Sequence, residues 1–147
     1  MGRKKRILFI CTGNSARSQI AEGLVNHLYI NNFEAKSAGT RPSPINPYAI
    51  KVMDEIGIDI SNQRSKSIAE FNGVKFDTVI TVCDNAKKVC PFFPGAKEMI
   101  HAPFDDPAAF EGADDQIIEF FRAVRDQIKK WINENLIHNK LKSKKNR

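Results

Sequence analysis

The segment from Ile7 to Leu28 constrains the fold more than any other part of the chain. Four apolar, β-favouring residues at 7–10 lead into a Gly-containing turn, and a run with helical spacing follows. The apolar face of that run carries Ile20, Ala21, Leu24, Val25 and Leu28. The pattern predicts a strand, a loop and a helix in direct succession, which is the repeating unit of α/β folds.

Further strands alternate with helices along the chain. Strands are predicted at 34–37, 78–82 and 98–101. Asn46 and Pro47 begin a helix that Gly57 ends, and a long amphipathic helix runs from about residue 114 to residue 136, with Trp131 in its apolar stripe. We therefore expect a parallel sheet that helices cover on both faces, with ligands beyond the carboxyl ends of the strands.

The net charge of +6 comes from the two ends of the chain. Of 23 basic residues, four lie at 3–6 and five in the last eight positions, so residues 7–139 carry 14 basic and 17 acidic side chains. This distribution gives no support for specific nucleic-acid binding, and weak contact of the tail with RNA or anionic surfaces is the alternative. We expect one domain over residues 1–139 and a basic, disordered tail at 140–147.

The beginning of the chain offers no targeting segment. Only four apolar residues separate the basic start from Cys11, too few for a signal-peptide core or a membrane span, so we expect a cytoplasmic protein. The odd count of three cysteines, in a compartment that keeps thiols reduced, argues against a structural disulfide framework.

The loop between the first strand and the first helix has the composition of an oxyanion site. A helix beginning near Ser15 would point its free N–H groups at Cys11, and Gly13 with Asn14 would turn loop amides inward through positive φ. Arg17 would grip two oxygens of a tetrahedral anion, and the Ser18 hydroxyl would help to keep the pKa of Cys11 low. We predict Cys11 as the nucleophile. The anion-binding loop comprises Thr12, Gly13, Asn14, Ser15, Ala16, Arg17 and Ser18.

A general acid is predicted after the last strand. Protonating the leaving oxygen assists displacement at phosphorus or arsenic. Asp106, followed by Pro107, is placed in a loop suited to this task, and Asp105 is the alternative. A turn or helix cap would also account for this motif by itself.

Cys83 and Cys90 distinguish two kinds of chemistry. A phosphatase needs neither thiol, whereas a reductase uses them to carry electrons. The six residues between them include Lys87 and Lys88, which we expect to keep Cys90 partly ionised, and a short helix here would have to unwind for the two thiols to join. Two inert cysteines remain the alternative.

Several motifs in one order give the chain a family resemblance. They are the Cys11 to Ser18 loop, Ser37-Ala38-Gly39, Asn46-Pro47, Asp59-Ile60-Ser61, Val82-Cys83, Cys90-Pro91 and Phe104-Asp105-Asp106-Pro107. In these the chain resembles, from about Ile7 to Trp131, the thioredoxin-coupled arsenate reductases, which share the fold of low-molecular-weight protein tyrosine phosphatases.

This resemblance implies a four-stranded parallel sheet and a reaction that converts arsenate to arsenite. It implies catalytic roles for Cys11, Arg17 and Asp106. It also implies a Cys11–Cys83 disulfide, then a Cys83–Cys90 disulfide, which thioredoxin or a similar dithiol protein reduces without any bound cofactor. Many relatives have a further cysteine where this chain has Ala16, but the scheme does not use it.

Some members of the family hold a potassium ion near the loop. Asn14, Glu22 and Ser37 match three of its ligands, but Lys66 stands at the position of the fourth, an aspartate. A lysine ammonium paired with Glu22 would occupy the place of the cation. We therefore predict no potassium dependence.

Two other functions compete with arsenate reduction. A low-molecular-weight protein tyrosine phosphatase would use Cys11, Arg17 and Asp106, but such enzymes usually have an aromatic residue where Ala108 follows here. The other hypothesis is a binding module without catalytic activity, such as an anion sensor. His27, His101 and His138 lack metal-ligand spacing, so no metal site is predicted, and we expect a monomer.

Overall fold

The computed structural model describes residues 3–138, and the predicted tail at 140–147 lies outside them. Four strands form one parallel sheet in the order β2-β1-β3-β4. The strands are β1 Lys5–Cys11, β2 Phe33–Gly39, β3 Phe76–Thr81 and β4 Ala96–His101. The predicted α/β fold with a four-stranded parallel sheet is confirmed.

Helices follow the strands along the chain. They are α1 Arg17–Leu28, α2 Pro47–Asp54, α3 Asp84–Val89 and α4 Asp114–Ile132. Short 3-10 turns lie at Ile68–Phe71 and Pro107–Ala109, and a π-helical turn at Asn133–His138 follows α4. No helix within residues 3–138 is long and apolar enough to cross a membrane.

The core lies on both faces of the sheet at strand β1. Neighbouring residues of a strand point to opposite faces, and Ile7, Leu8, Phe9 and Ile10 are each at most 1% exposed. A strand that is buried on both faces needs a continuous apolar run, which explains why β1 shows no alternation with polar residues. Both faces of the sheet are therefore covered, as the sequence predicts.

Strand ends differ from the sequence predictions by up to two residues, and helix boundaries differ in three places. The first helix begins at Arg17 and not near Ser15, because residues up to Ala16 belong to the loop. The second helix ends at Asp54, before the turn that Gly57 closes with a φ of 81°. The last helix ends at Ile132, and a π-helical turn continues past the predicted end at residue 136.

The strand order places two cysteines at one edge. Strand β1 lies between β2 and β3, so the chain reverses its direction of winding at the carboxyl ends of β1 and β3, where α/β folds bind ligands. Ile10 pairs with Thr81 in the β1–β3 register. Cys11 directly follows Ile10, and Cys83 follows Thr81 with one residue between them. The two cysteines therefore lie side by side at this edge of the sheet.

Candidate active site

The carbonyl groups of the loop point away from its centre. Thr12 O accepts from Arg41 N at 2.8 Å, Gly13 O from Ser43 N at 2.8 Å, Asn14 O from Gln19 Nε2 at 3.0 Å and Ser15 O from Asn46 N at 2.9 Å. In a trans peptide the next residue's N–H points opposite to the carbonyl. The amides of residues 13–16 therefore turn inward and form a nest for an anion.

Asn14 is the hub of the loop. Its φ of 50° is the left-handed conformation predicted for it, whereas Gly13 does not have a positive φ, and that part of the prediction is wrong. Gly13 instead lies in a tightly packed place, where a Cβ would lie 3.1 Å from Ser43 Oγ. The Asn14 amide Nδ2 donates to Ser18 Oγ at 2.8 Å and to Ser37 Oγ at 2.9 Å, and Oδ1 accepts from Lys66 N at 3.0 Å.

Cys11 lies beneath this loop and is 2% exposed. Its Sγ is 2.8 Å from Ser18 Oγ and accepts from Asn14 N at 3.1 Å. Burial raises the pKa of the Cys11 thiol, while the hydrogen bonds from Ser18 and Asn14 and the charge of Arg17 act to lower that pKa. Ser18 acts in the predicted direction, but burial outweighs its effect on the pKa of Cys11.

Arg17 begins α1 and reaches the predicted general acid. Its Nη1 donates to Phe104 O at 3.1 Å, and its Nη2 lies 3.6 Å from Asp106 Oδ2. Phe104 is fixed by an edge-to-face contact with Trp131, with ring centroids 6.1 Å apart. Because only 13% of the Arg17 side chain is exposed, the guanidinium is held at the loop.

Asp106 is the acid that the structure brings to the site. Its Oδ1 accepts from Ala108 N at 3.0 Å, so it also caps the turn that Pro107 begins. Its side chain is 44% exposed, which leaves it open to a ligand in the loop. Asp105, the alternative acid, is exposed and has no corresponding ion pair with Arg17 among residues 3–138.

Cys83 lies against the loop from the side of β3. Its Sγ is 3.3 Å from Thr12 Oγ1 and accepts from Ala86 N at 3.3 Å, and the residue is 6% exposed. Asn85 Nδ2 donates to the same Thr12 hydroxyl at 3.1 Å. Thr12 thus joins the anion loop to the start of α3.

Cys90 lies at the other end of α3. The helix fills the segment between the two cysteines, and all three cysteines are free thiols. Cys90 is half-buried, and burial raises the pKa of its thiol. The expectation that Lys87 and Lys88 keep it ionised is wrong, because both lysines are exposed and solvent screens their charges.

Lys66 forms the predicted pair with Glu22 behind the loop. Its Nζ lies 3.7 Å from Glu22 Oε1, and the same carboxylate oxygen accepts from Ser37 Oγ at 2.6 Å. Both charged side chains are about nine-tenths buried, at 9% and 11% exposure. Burial lowers the pKa of Lys66, and the charge of Glu22 opposes that shift.

Two contacts of the site were not predicted from the sequence. Gly39 ends β2 against the loop, where a Cβ would lie 2.6 Å from Thr12 O, so the small residue permits the close approach. Gln19 Nε2 bridges Asn14 O and Arg64 O at 3.0 and 3.1 Å. A glycine at a strand end is a recognisable sequence signal. The contact of Gln19 with Arg64 joins residues 45 positions apart, and no sequence pattern indicates it.

Among the side chains that the structure describes, at residues 3–137, no group of three or more His, Cys, Asp or Glu is arranged to hold a metal ion. His101 instead contacts Thr81 and Asp84.

The chain is similar to known proteins over nearly its whole length. An arsenate reductase of Halalkalibacterium halodurans is 48% identical over 129 residues, which is 88% of this chain and 93% of that protein. A solved arsenate reductase in the phosphate binding state superposes with a TM-score of 0.77 at 37% identity, covering 92% of this chain and 98% of the other.

A thioredoxin-dependent arsenate reductase of Corynebacterium glutamicum superposes with a TM-score of 0.65 at 30% identity, covering 90% of this chain and 63% of the other. The family of low molecular weight phosphotyrosine protein phosphatases matches residues 6–147. The chain therefore belongs to the low molecular weight phosphotyrosine protein phosphatase family, and its relatives there include arsenate reductases.

Proposed function

We propose that this protein reduces arsenate to arsenite, with Cys11 as the nucleophile and with Cys83 and Cys90 as the thiols that carry electrons. The proposal rests on one observation above all: the buried Cys83 thiol lies 3.3 Å from the hydroxyl of Thr12, the residue next to Cys11. A phosphatase needs no second thiol there. The similarity to arsenate reductases supports the same conclusion.

The first step joins arsenate to Cys11. The inward amides and Arg17 bind the oxygens of arsenate. The Arg17 guanidinium has five N–H donors, and its contacts with Phe104 and Asp106 use only part of them, so donors remain for the anion. A bond forms between Cys11 Sγ and arsenic, and one oxygen of hydrogen arsenate leaves as water. Asp106 supplies the proton to that oxygen, and the thiol proton of Cys11 replaces it, so charge and protons balance.

The second step reduces arsenic. The Cys83 thiolate attacks Cys11 Sγ, the sulfur–arsenic bond breaks, and its electron pair stays on arsenic, which passes from the +5 to the +3 state. Arsenite leaves, and a Cys11–Cys83 disulfide remains. The Cys90 thiolate then attacks the sulfur of Cys83, which releases Cys11 as a thiolate and forms a Cys83–Cys90 disulfide.

A dithiol protein closes the cycle by reducing the Cys83–Cys90 disulfide. Thioredoxin is the donor we propose, supported by the thioredoxin-dependent reductase among the structural relatives. No bound cofactor is required, because the two electrons come from thiols. We further propose that the protein acts as a monomer with all three thiols on one chain.

Protein tyrosine phosphatase activity is the second candidate, and the family match and the Cys11, Arg17 and Asp106 arrangement favour it. Ala108 argues against it, because it provides no aromatic surface for a phenyl ring after the Asp106-Pro107 pair. Phosphatase activity would also leave Cys83 and Cys90 without a role.

A single-turnover experiment without reductant tests the proposal. The reduced wild type and Cys90→Ser should each release one equivalent of arsenite from arsenate, whereas Cys83→Ser should release none. Mass spectrometry should find a Cys83–Cys90 disulfide in the wild type and a Cys11–Cys83 disulfide in Cys90→Ser. With thioredoxin, thioredoxin reductase and NADPH, the wild type should turn over, whereas neither cysteine variant should.

Lys88→Ser is the matched control, because Lys88 is an exposed residue of the same helix and should turn over normally. Absence of arsenite release in the wild type, together with rapid aryl phosphate hydrolysis that neither cysteine substitution changes, would make the protein a phosphatase.

A further inference from the structure

His101 links the sheet to the helix between the two electron-carrying thiols. It ends β4, where its Nδ1 lies 2.8 Å from Oγ1 of Thr81, its partner in the β3–β4 register. Its Nε2 lies 2.8 Å from Oδ1 of Asp84. A neutral ring with its proton on Nε2 satisfies both contacts, since the Thr81 hydroxyl donates to Nδ1 and Nε2 donates to the carboxylate.

The inner end of this chain of contacts is fixed, and the outer end is not. Thr81 is 2% exposed and belongs to a central strand, so it anchors one side of the imidazole ring. The Asp84 side chain is 80% exposed, against 21% for His101. Asp84 is therefore held from the sheet through His101 and not by burial.

Helix α3 depends on few contacts. It has six residues, of which only Ala86 is buried, and helices this short are marginal without tertiary support. That support comes from Ala86, from the hydrogen bond between Asn85 and Thr12, and from the contact of Asp84 with His101. Asp84 is the first helical residue and follows Cys83 directly, so the contact fixes the end of the helix next to the thiol.

A Cys83–Cys90 disulfide is incompatible with this helix. Seven residues at about 1.5 Å rise place the two Cα atoms roughly 10 Å apart, whereas a disulfide requires about 4.4–6.8 Å. The helix must unwind when the bond forms, and unwinding removes the helical position from which Asp84 reaches the imidazole.

We propose that His101 is a positioning residue that holds Asp84 in the dithiol state only, and that this contact sets the redox potential of the Cys83–Cys90 pair. The inference rests on the electron-carrying role proposed for these thiols. A contact that stabilises only the dithiol state makes the disulfide easier to reduce, so it raises the midpoint potential. It also favours return of α3 to the loop, ready for the next arsenate.

The test equilibrates the Cys83–Cys90 pair with a dithiothreitol redox buffer. A Cys11→Ser background is used, so that Cys83 and Cys90 are the remaining thiols of the chain. Both thiols lose their protons and two electrons to oxidised dithiothreitol, which becomes reduced dithiothreitol. His101→Ala and Asp84→Ala should each stabilise the disulfide about fivefold, a potential lower by about 20 mV at 29.6 mV per tenfold change. The double variant should show no larger shift than either single variant.

Two further variants separate the contact from general damage to the fold. Asp84→Asn retains an oxygen that accepts from Nε2 and should restore most of the potential, whereas Lys88→Ala should leave the potential unchanged. In the reduced protein, His101→Ala should also speed amide hydrogen exchange in residues 84–90 while leaving exchange in β1 unaltered.

Additive shifts in the double variant, or an unchanged potential in Asp84→Ala, would overturn the inference. Asp84 is exposed enough that its variant is expected to fold even if His101→Ala does not. Failure of a Cys83–Cys90 disulfide to form at any buffer ratio is a different result, because it would remove the proposed electron relay itself.

Discussion

The anion loop and helix α3 lie side by side and are built in opposite ways. In the loop, Asn14 is fully buried, and its side chain holds Ser18, Ser37 and the backbone of Lys66 at once. In α3, only Ala86 is buried, and the polar contacts are made by exposed side chains such as Asp84. One segment is fixed from every side and the other is attached at a few points.

This difference matches the two tasks proposed for them. An anion site gains most from groups that are already in position, because their ordering cost is met during folding. A segment that must carry a disulfide outward has to open at modest cost, and elements with few buried contacts open most easily. Thr12 contacts both segments, so the boundary between the fixed and the movable part runs through one side chain.

Arg17→Lys should have the largest effect, because it strikes the fixed segment where charge is held. Lysine cannot make a two-pronged contact with an oxyanion, so we expect kcat/KM for arsenate to fall about 100- to 1000-fold. The measurement is the steady-state rate of arsenate-dependent NADPH oxidation with thioredoxin and thioredoxin reductase. Arg122→Lys is the control, since Arg122 pairs with Glu55 and Glu119 on the surface and should remain within about twofold of the wild type. A loss below tenfold in Arg17→Lys would contradict the prediction.

Asn14→Ala compared with Asn85→Ala tests the comparison directly. Alanine at 14 loses several buried hydrogen bonds and is strained at a φ of 50°, so we expect a loss of about 3 kcal/mol in the free energy of unfolding. Asn85 is exposed and its hydrogen bond to Thr12 should be worth less than about 1 kcal/mol. Urea denaturation of the reduced proteins measures both, and equal losses would mean that α3 is as fixed as the loop.

Much of the anion loop was predictable, because the side chains that carry its chemistry are close together in the sequence. Cys11, Arg17 and Ser18 lie within one strand-loop-helix unit, and parallel strands bring Cys83 to the same edge as Cys11. The contacts that fix the loop were not predictable in the same way. Gly39 approaches the loop only through the β1–β2 register, which no local pattern specifies.

Burial also decided questions that local charge could not. Desolvation raises the pKa values of both Cys11 and Cys90, and at Cys11 it outweighs nearby hydrogen bonds and the charge of Arg17, whereas the sequence shows only the neighbours. The contact of His101 with Asp84 likewise joins the end of a strand to the start of a helix 17 residues earlier. Such pairs depend on where two elements meet.

Ser18→Ala should have a smaller effect, on ionisation of the nucleophile. Burial raises the pKa of Cys11 and the Ser18 hydrogen bond opposes that shift, so loss of Ser18 should move the pH-dependent rise of the thiolate fraction to higher pH. The rate of Cys11 alkylation by iodoacetamide against pH, in a Cys83→Ser, Cys90→Ser background, measures the shift. Ser61→Ala, on the exposed surface, should leave the curve in place. A shift toward lower pH in Ser18→Ala would mean that the hydroxyl does not stabilise the thiolate.

Potassium should have the smallest effect, because a lysine ammonium already lies behind the loop. The Lys66 ammonium lies 3.7 Å from Glu22, whose carboxylate is bound to Ser37 and so to Asn14. Replacing sodium chloride by potassium chloride at equal ionic strength should therefore change kcat/KM by less than about twofold. Lys66→Met, which leaves Glu22 nearly buried without its partner, should instead lower the free energy of unfolding by about 2 kcal/mol. A several-fold rise in wild-type activity with potassium alone would show that the support of the loop is incomplete without an added ion, and that the fixed segment is less fixed than its contacts indicate.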